Sequence, residues 1–391
     1  MKVHLIVIVL SITGQMGLTQ SHTSEAKFSY EIESDLAEGK IGATRAGLLY
    51  SLIGDYRNST QYSDIPVSWG VDTLSLDEYT TESALSKIIE ASRNERIVII
   101  SENHLKPQHR IFALRVITEL ANIGFRHLGL EAFTSESNSN ALLDSNLKDR
   151  GYPLDSRLTG SYTLEPKMGM LVRASIDLDY NLFAYESTGK VNGKDREEIQ
   201  ADNIIKYLRN HPDSKAIIVC GFHHAVESNR IKNGSSYWMA KYLKDKSGID
   251  PLTVYQDNFT EKFIENEHPV LRLVKVAEPS VFVDKSGDLV RISEHVDIEV
   301  IHPKTRYVNG RPDWHYETTE HKSVKIELDN RAVDFPVLVS AYLIRERDSV
   351  PFDRFELKHK YDDKVMVLKT GEYRIAIYDG EKTIEYNQTV E

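Results

Sequence analysis

Only one cysteine, Cys220, occurs in 391 residues. An intramolecular disulfide is therefore excluded, and so is a lipobox near the amino terminus. Beyond the first dozen residues no run is long and apolar enough to cross a bilayer. There is no basic stripe either. Lys and Arg number 48 against 59 Asp and Glu, a formal net charge of −11. Such a chain is a poor partner for nucleic-acid phosphates, whereas negative charge favours solubility. Three familiar signatures are also missing: a Walker loop, a G-x-S-x-G elbow and H-E-x-x-H. A serine hydrolase thus has no visible nucleophile.

What remains is ordinary globular composition, 40% hydrophobic and 27% charged, with length for two or three domains. Residues 1–20 read as an export signal. Lys2 is followed by the short apolar run 5–12 and a small-residue region, with cleavage expected near Thr19 or Gln20. The expectation is a soluble exported protein, periplasmic or secreted. Residues 21–75 form a polar lead-in with a short helix at 43–56. From there the pattern is regular. Helical spacing at 84–91 precedes the apolar β-branched strand 97–100, and Pro107 opens a helix whose apolar face is Ile111, Leu114, Ile117 and Leu120. Strands follow at 127–130, 181–185, 216–220 and 252–255, with helices at 140–148, 166–178, 196–210 and 236–246 between them. This alternation predicts an α/β domain over 76–270, a largely parallel sheet with helices on both faces. After residue 280 the period becomes two, at 296–300, 324–328 and 373–377, which predicts an antiparallel β-sandwich over 280–391.

Polar residues cluster just after the predicted strands. Glu102 and His104 follow the first, Glu131 the second, Glu186 the third, and Gly221, His223 and His224 the fourth. In a parallel sheet these carboxyl ends share one rim, where ligands bind. Imidazole exchanges protons near neutral pH, and a neighbouring carboxylate orients it. Glu102, His104, Glu131 and His223 could also ligate a divalent metal, and Arg110 or Arg196 could steady an oxyanion. Structural roles compete with these. A histidine at a strand end also caps a helix, and Glu131 could simply pair with Arg110 or Arg196. Of the adjacent His223 and His224, one faces inward and the other is structural. His109 and Arg110 lie in a first helical turn, where positive charge opposes the helix dipole at a cost of ~0.3–1 kcal/mol. Cys220 reads as a small core residue.

Four segments in order resemble the erythromycin esterase, ChaN and Tiki superfamily. They are Ser101-Glu102-Asn103-His104 with Pro107, His109 and Arg110; Leu128-Gly129-Leu130-Glu131; the helix from Arg196 to Asn203; and Gly221-Phe222-His223-His224. The likeness covers roughly residues 80–257 and is nearest the ChaN-like branch, by E-x-H followed by P-x-H-R. It implies an α/β fold with His104 as base, Glu102 and Glu131 as its carboxylates and His223 as second imidazole. His109, Glu186, Arg196, Asn203 and His224 would line the binding site. Two functions follow from it. One is a hydrolase acting on an ester, lactone or amide of a small-molecule or peptide substrate, with metal assistance possible. The other is a non-catalytic haem- or metal-binding envelope protein. Haem ligation in that branch involves a tyrosine, for which Tyr152, Tyr162 and Tyr185 are available. Ser101 stands where the family has glycine.

Overall fold

The computed structural model describes residues 25–62, 78–137, 139–187, 195–230, 236–262, 267–317, 321–328 and 333–391. The expected export signal and residues 21–24 and 63–75 of the lead-in lie outside them. The chain opens with helices α1 (Ser29–Ala37), α2 (Ala43–Leu52) and α3 (Tyr56–Gln61). Then come β1 (Thr80–Ser83), α4 (Ala84–Ser92), β2 (Ile97–Glu102), α5 (Pro107–Asn122) and β3 (Phe125–Leu130). They lead to α6 (Leu147–Arg150), α7 (Pro166–Asp177), β4 (Asn181–Phe183), α8 (Arg196–Asn210) and β5 (Lys215–Gly221). The first sheet is completed by α9 (Met239–Ser247), β6 (Leu252–Phe259), α10 (Val270–Leu273), β7 (Ser280–Val283) and β8 (Ile298–Ile301).

That sheet has eight strands in the order β1-β7-β8-β6-β2-β5-β3-β4. From β8 to β4 every pairing is parallel, and β7 and β1 add an antiparallel edge. Alternate strand residues serve opposite faces. Val98, Ile100, Leu128, Leu130, Ile217 and Val219 pack with α4, α5 and α7, whereas Ile97, Ile99, Ala216, Ile218 and Cys220 pack with α8 and α9. Both faces are covered, which is why β2 carries a continuous apolar run. Helix α5 is buried twice over. Phe112, Val116 and Ile117 face the sheet, while Ile111 joins a second core.

That second core belongs to the carboxyl-terminal β domain. Its short elements are β9 (Tyr307–Val308), β10 (Arg311–Pro312) and β11 (Lys322–Val324); longer strands are β12 (Val337–Leu343), β13 (Asp353–Leu357), β14 (Met366–Leu368), β15 (Gly371–Tyr378) and β16 (Thr383–Val390). An antiparallel sheet β13-β12-β15-β16 is faced by the pair β11-β14, with Val339, Phe355, Ile375, Met366 and Leu368 between them. Buried ion pairs dock this domain on α7: Arg173 with Glu346 at 2.5 Å and Lys167 with Asp353 at 3.6 Å.

Three expectations are corrected. Residues 298–301 pair in parallel with β6 in the first sheet, and all four are buried, Glu299 included. Their alternation in sequence therefore does not mark a half-exposed strand. Of 324–328, only Val324 is strand. The helix expected at 140–148 shrinks to α6. Asn140 instead donates to the carbonyls of Ala184 and Asn203, and Asp144 holds Arg150. Such side-chain bonds compete with helix formation.

Candidate active site

Strand register brings the site together. Within the β2–β5 pairing Glu102 lies opposite Gly221, and the Glu131 N–H donates to the Val219 carbonyl at 3.0 Å. Three strand ends thus become neighbours. Glu102 is buried, and its Oε1 lies 2.5 Å from His104 Nδ1. Its Oε2 accepts from Arg110 Nε at 3.0 Å. Arg110 further donates to Glu165 Oε2 at 2.9 Å and to the His104 carbonyl at 3.0 Å. Glu165 is the N-cap of α7 and also accepts from the Lys167 and Met168 N–H groups. The His104 ring lies against Tyr162, centroids 3.9 Å apart, with Phe222 on its edge at 5.2 Å.

A second imidazole mirrors the first. His224 Nδ1 lies 2.6 Å from Glu197 Oε2. Glu131 sits between the two rings, its Oε1 3.8 Å from His104 Nε2 and 3.6 Å from His224 Nε2. Its Oε2 accepts from the Gly221 N–H. Above them Arg196, with a half-exposed side chain, donates to Glu131 Oε1 at 2.6 Å and to Glu186 Oε1 at 3.0 Å; its Nη1 is 3.1 Å from His224 Nε2. Gly221 is required by space. A Cβ there would stand 2.5 Å from His104 Nε2 and 3.0 Å from Glu131 Oε2. The next residue, Phe222, has φ +43°, a costly conformation for a bulky side chain. It opens the 3₁₀ turn 222–225, in which successive side chains diverge by about 120°. Only one of two adjacent histidines can therefore face Glu131.

That residue is His224. His223, expected as the second imidazole, turns toward Trp238 (centroids 5.1 Å) and Tyr255. His109 also leaves the site. Its Nδ1 accepts from the Asn103 N–H at 3.0 Å and its ring stacks on His302. Burial, with the nearby His302 and Lys106, holds its pKa well below the usual value. Asn203 donates to the Tyr185 carbonyl at 2.9 Å and braces the end of β4. Arg110 spends its N–H donors on Glu102, Glu165 and a backbone carbonyl, so it positions the His104 pair and has no reach to an oxyanion. Glu186 is held by Arg196 and Gln200. Reading by sequence missed Glu165 and Glu197, and named Tyr162 only as a tyrosine available to haem. Only Glu165 carried a local sign: an acidic residue before Pro166 is an N-cap followed by an N1 proline.

The charge states follow from these contacts. Burial opposes ionisation of Glu131, yet His224, His104, Arg196 and the Gly221 N–H outweigh it and bring its pKa down to about 2. Glu102 is likewise lowered, because Arg110 and His104 overcome its burial. For His224, burial is outweighed by Glu131 and Glu197, and its pKa is raised above 6.5. Tyr162 is pushed up to about 12 by burial and by the nearby carboxylates.

This donor set does not fit a metal ion. Both oxygens of Glu102 and of Glu131 are engaged by N–H groups, two guanidinium groups lie in the cluster, and His223 lies elsewhere. Among the described residues no group of three or more His, Cys, Asp or Glu is placed to hold a metal. Of the available tyrosines, Tyr185 donates to the Val219 carbonyl, Tyr152 accepts from the Arg347 N–H, and Tyr162 stacks on His104.

The molecule is an α/β protein with a carboxyl-rim cluster of two glutamate-held histidines. No protein-family model matches the chain, and no curated protein matches it. Among solved structures it is similar to the type III effector HopBA1, with a TM-score of 0.36, 11% identity, and coverage of 61% of this chain and 99% of that one. It is also similar to RRSP, a MARTX toxin effector domain from Vibrio vulnificus CMCP6, with a TM-score of 0.30 and 17% identity over 51% of this chain and 44% of that one. The alignment thus spans under half of the RRSP structure. Likenesses this slight carry no argument about activity.

Proposed function

We propose that this protein is a hydrolase in which water, activated by one histidine, attacks an ester, lactone or amide carbonyl. One observation carries the reading: two imidazoles, each held at Nδ1 by its own glutamate, present Nε2 to the same oxygen of Glu131. With its Nδ1–H on Glu102, His104 has Nε2 available as a base. It takes a proton from water while the oxygen bonds to the carbonyl carbon. In the free site His224 Nε2 accepts from Arg196 Nη1. Once that guanidinium turns to the substrate, Glu131 and Glu197 favour the imidazolium; His224 takes a proton from solvent at Nε2 and gives it to the departing alcohol or amine as the carbon–heteroatom bond breaks. The two glutamate-held imidazoles thus divide the base and acid roles between them. Arg196, unlike the buried Arg110, is half-exposed, so its guanidinium can exchange the His224 contact for the substrate and supply charge for the developing oxyanion. No step is assigned to a metal.

The test is a panel of activated esters, lactones and peptide amides, assayed with His104→Ala and His224→Gln beside the parent protein. His104→Ala should lower catalytic efficiency by about 10²-fold or more, the usual scale for a general base. Unchanged turnover in that variant removes the assignment.

A further inference from the structure

A cavity of about 510 Å³ lies on the other side of the first turn of α5, and it shares no lining residue with the His104–Glu131–His224 cluster. Its size falls within the range of small-molecule sites, roughly 300–1,000 Å³. Three aromatic residues, Tyr56, Tyr307 and Trp314, contribute to the wall, and so do three cations, Arg57, Lys106 and Lys262. Glu261 is the single carboxylate among the described lining residues, so the wall carries a formal excess of two positive charges. In a protein whose net charge is −11, such a local reversal of sign is a departure from the average surface.

The cations are held in place. Lys106 and Lys262 are both more than nine-tenths buried. Lys106 donates to the Glu261 carbonyl, and Lys262 lies 3.4 Å from Asp257, which does not line the cavity. Glu261 is itself engaged, its Oε2 accepting from the Thr305 N–H at 3.1 Å. Arg57, by contrast, is exposed at the mouth, with its guanidinium 4.8 Å from the centre of the Tyr307 ring. Inside, Tyr56 packs on Trp314 with centroids 5.1 Å apart, and the Tyr56 hydroxyl donates to Glu165 at 3.3 Å. The lining thus combines aromatic rings with two buried ammonium groups and an exposed guanidinium that lies over Tyr307.

We infer that this cavity binds a small aromatic anion, a flat ring carrying a phosphate or carboxylate, with the ring against Tyr307 and Trp314 and the anionic group toward Lys106, Lys262 and Arg57. The inference is independent of the hydrolase reading. Phenyl phosphate is the probe, with inorganic phosphate and benzyl alcohol as its separated halves. Binding is followed by intrinsic fluorescence and by the rise in melting temperature of the full chain. Phenyl phosphate should saturate at a concentration at least tenfold below either half. Arg57→Gln, at an exposed position, should melt like the parent and bind phenyl phosphate about tenfold more weakly, the scale of one lost charge-assisted contact. Arg196→Gln, in the other cluster, should bind it as the parent does. Absence of saturable binding at millimolar phenyl phosphate overturns the inference. So does binding unchanged in both Arg57→Gln and Lys262→Met, or binding abolished by Arg196→Gln, which would put the ligand in the histidine cluster.

Discussion

Replacing Glu131 by glutamine tests the centre of the site. The change keeps the shape, and the amide oxygen can still accept from the Gly221 N–H. It removes the charge shared by His104, His224 and Arg196. The pKa of Glu131 falls from an ordinary 4.5 to about 2 on folding. At 1.36 kcal/mol per pH unit this amounts to about 3 kcal/mol of stability at pH 7. Part of it comes through the half-exposed Arg196 and is screened, so about 2–3 kcal/mol is the expected loss. The sign is fixed by linkage. A depressed carboxyl pKa stabilises above the unfolded value of 4.5, and the gain disappears as pH falls toward 2. The gap between parent and Glu131→Gln should therefore be full at pH 7 and shrink to about half or less near pH 3. Urea unfolding of both proteins across that range measures it, compared at equal denaturant slope. The His224 imidazole should also lose protons more readily in the variant, seen by NMR titration. Equal unfolding midpoints at pH 7, or a gap that does not change with pH, would refute this account of Glu131.

Further outcomes follow from individual contacts. Arg110→Met leaves Glu102 and Glu165 buried without their cation and should cost about 3–5 kcal/mol, read by denaturant unfolding. Gly221→Ala sets a methyl 2.5 Å from the His104 ring; a loss of about 1–3 kcal/mol is expected, with hydrolysis reduced more than in a surface control. Glu299, buried on β8, has its pKa raised to about 7 by burial, against the bond from Asn258. Its folded form holds a proton that the unfolded chain has lost between pH 4.5 and 7, so stability falls as pH rises through that window. Glu299→Gln should therefore melt higher than the parent at pH 8 and lose that advantage below pH 4.5. His223→Gln should leave catalysis within a few-fold of the parent, whereas His224→Gln should not; equal losses would contradict the division of the two histidines.

Periodicity in the sequence was enough for the parallel sheet, because β2 and β5 are runs of apolar residues covered on both faces and β3 ends in the buried Leu128-Gly129-Leu130. It also placed Glu102, His104 and Glu131 at strand ends, since a carboxylate after such a run has few other places to go. Periodicity failed where a strand is short. Residues 298–301 alternate in sequence, yet neighbours on both faces bury every side chain, and no local pattern records that.

The sequence by itself determined which residues could meet: strand ends carrying Glu and His, joined by helices that force those ends onto one rim. Tertiary structure alone decided which of them do. The positive φ of Phe222 and the tight turn after it turn His224, not His223, toward Glu131. Packing of α7 on the β domain fixes Glu165 against Arg110, which then serves as a brace instead of a binding group. Those outcomes depend on side-chain direction and long-range contact, and linear order holds neither.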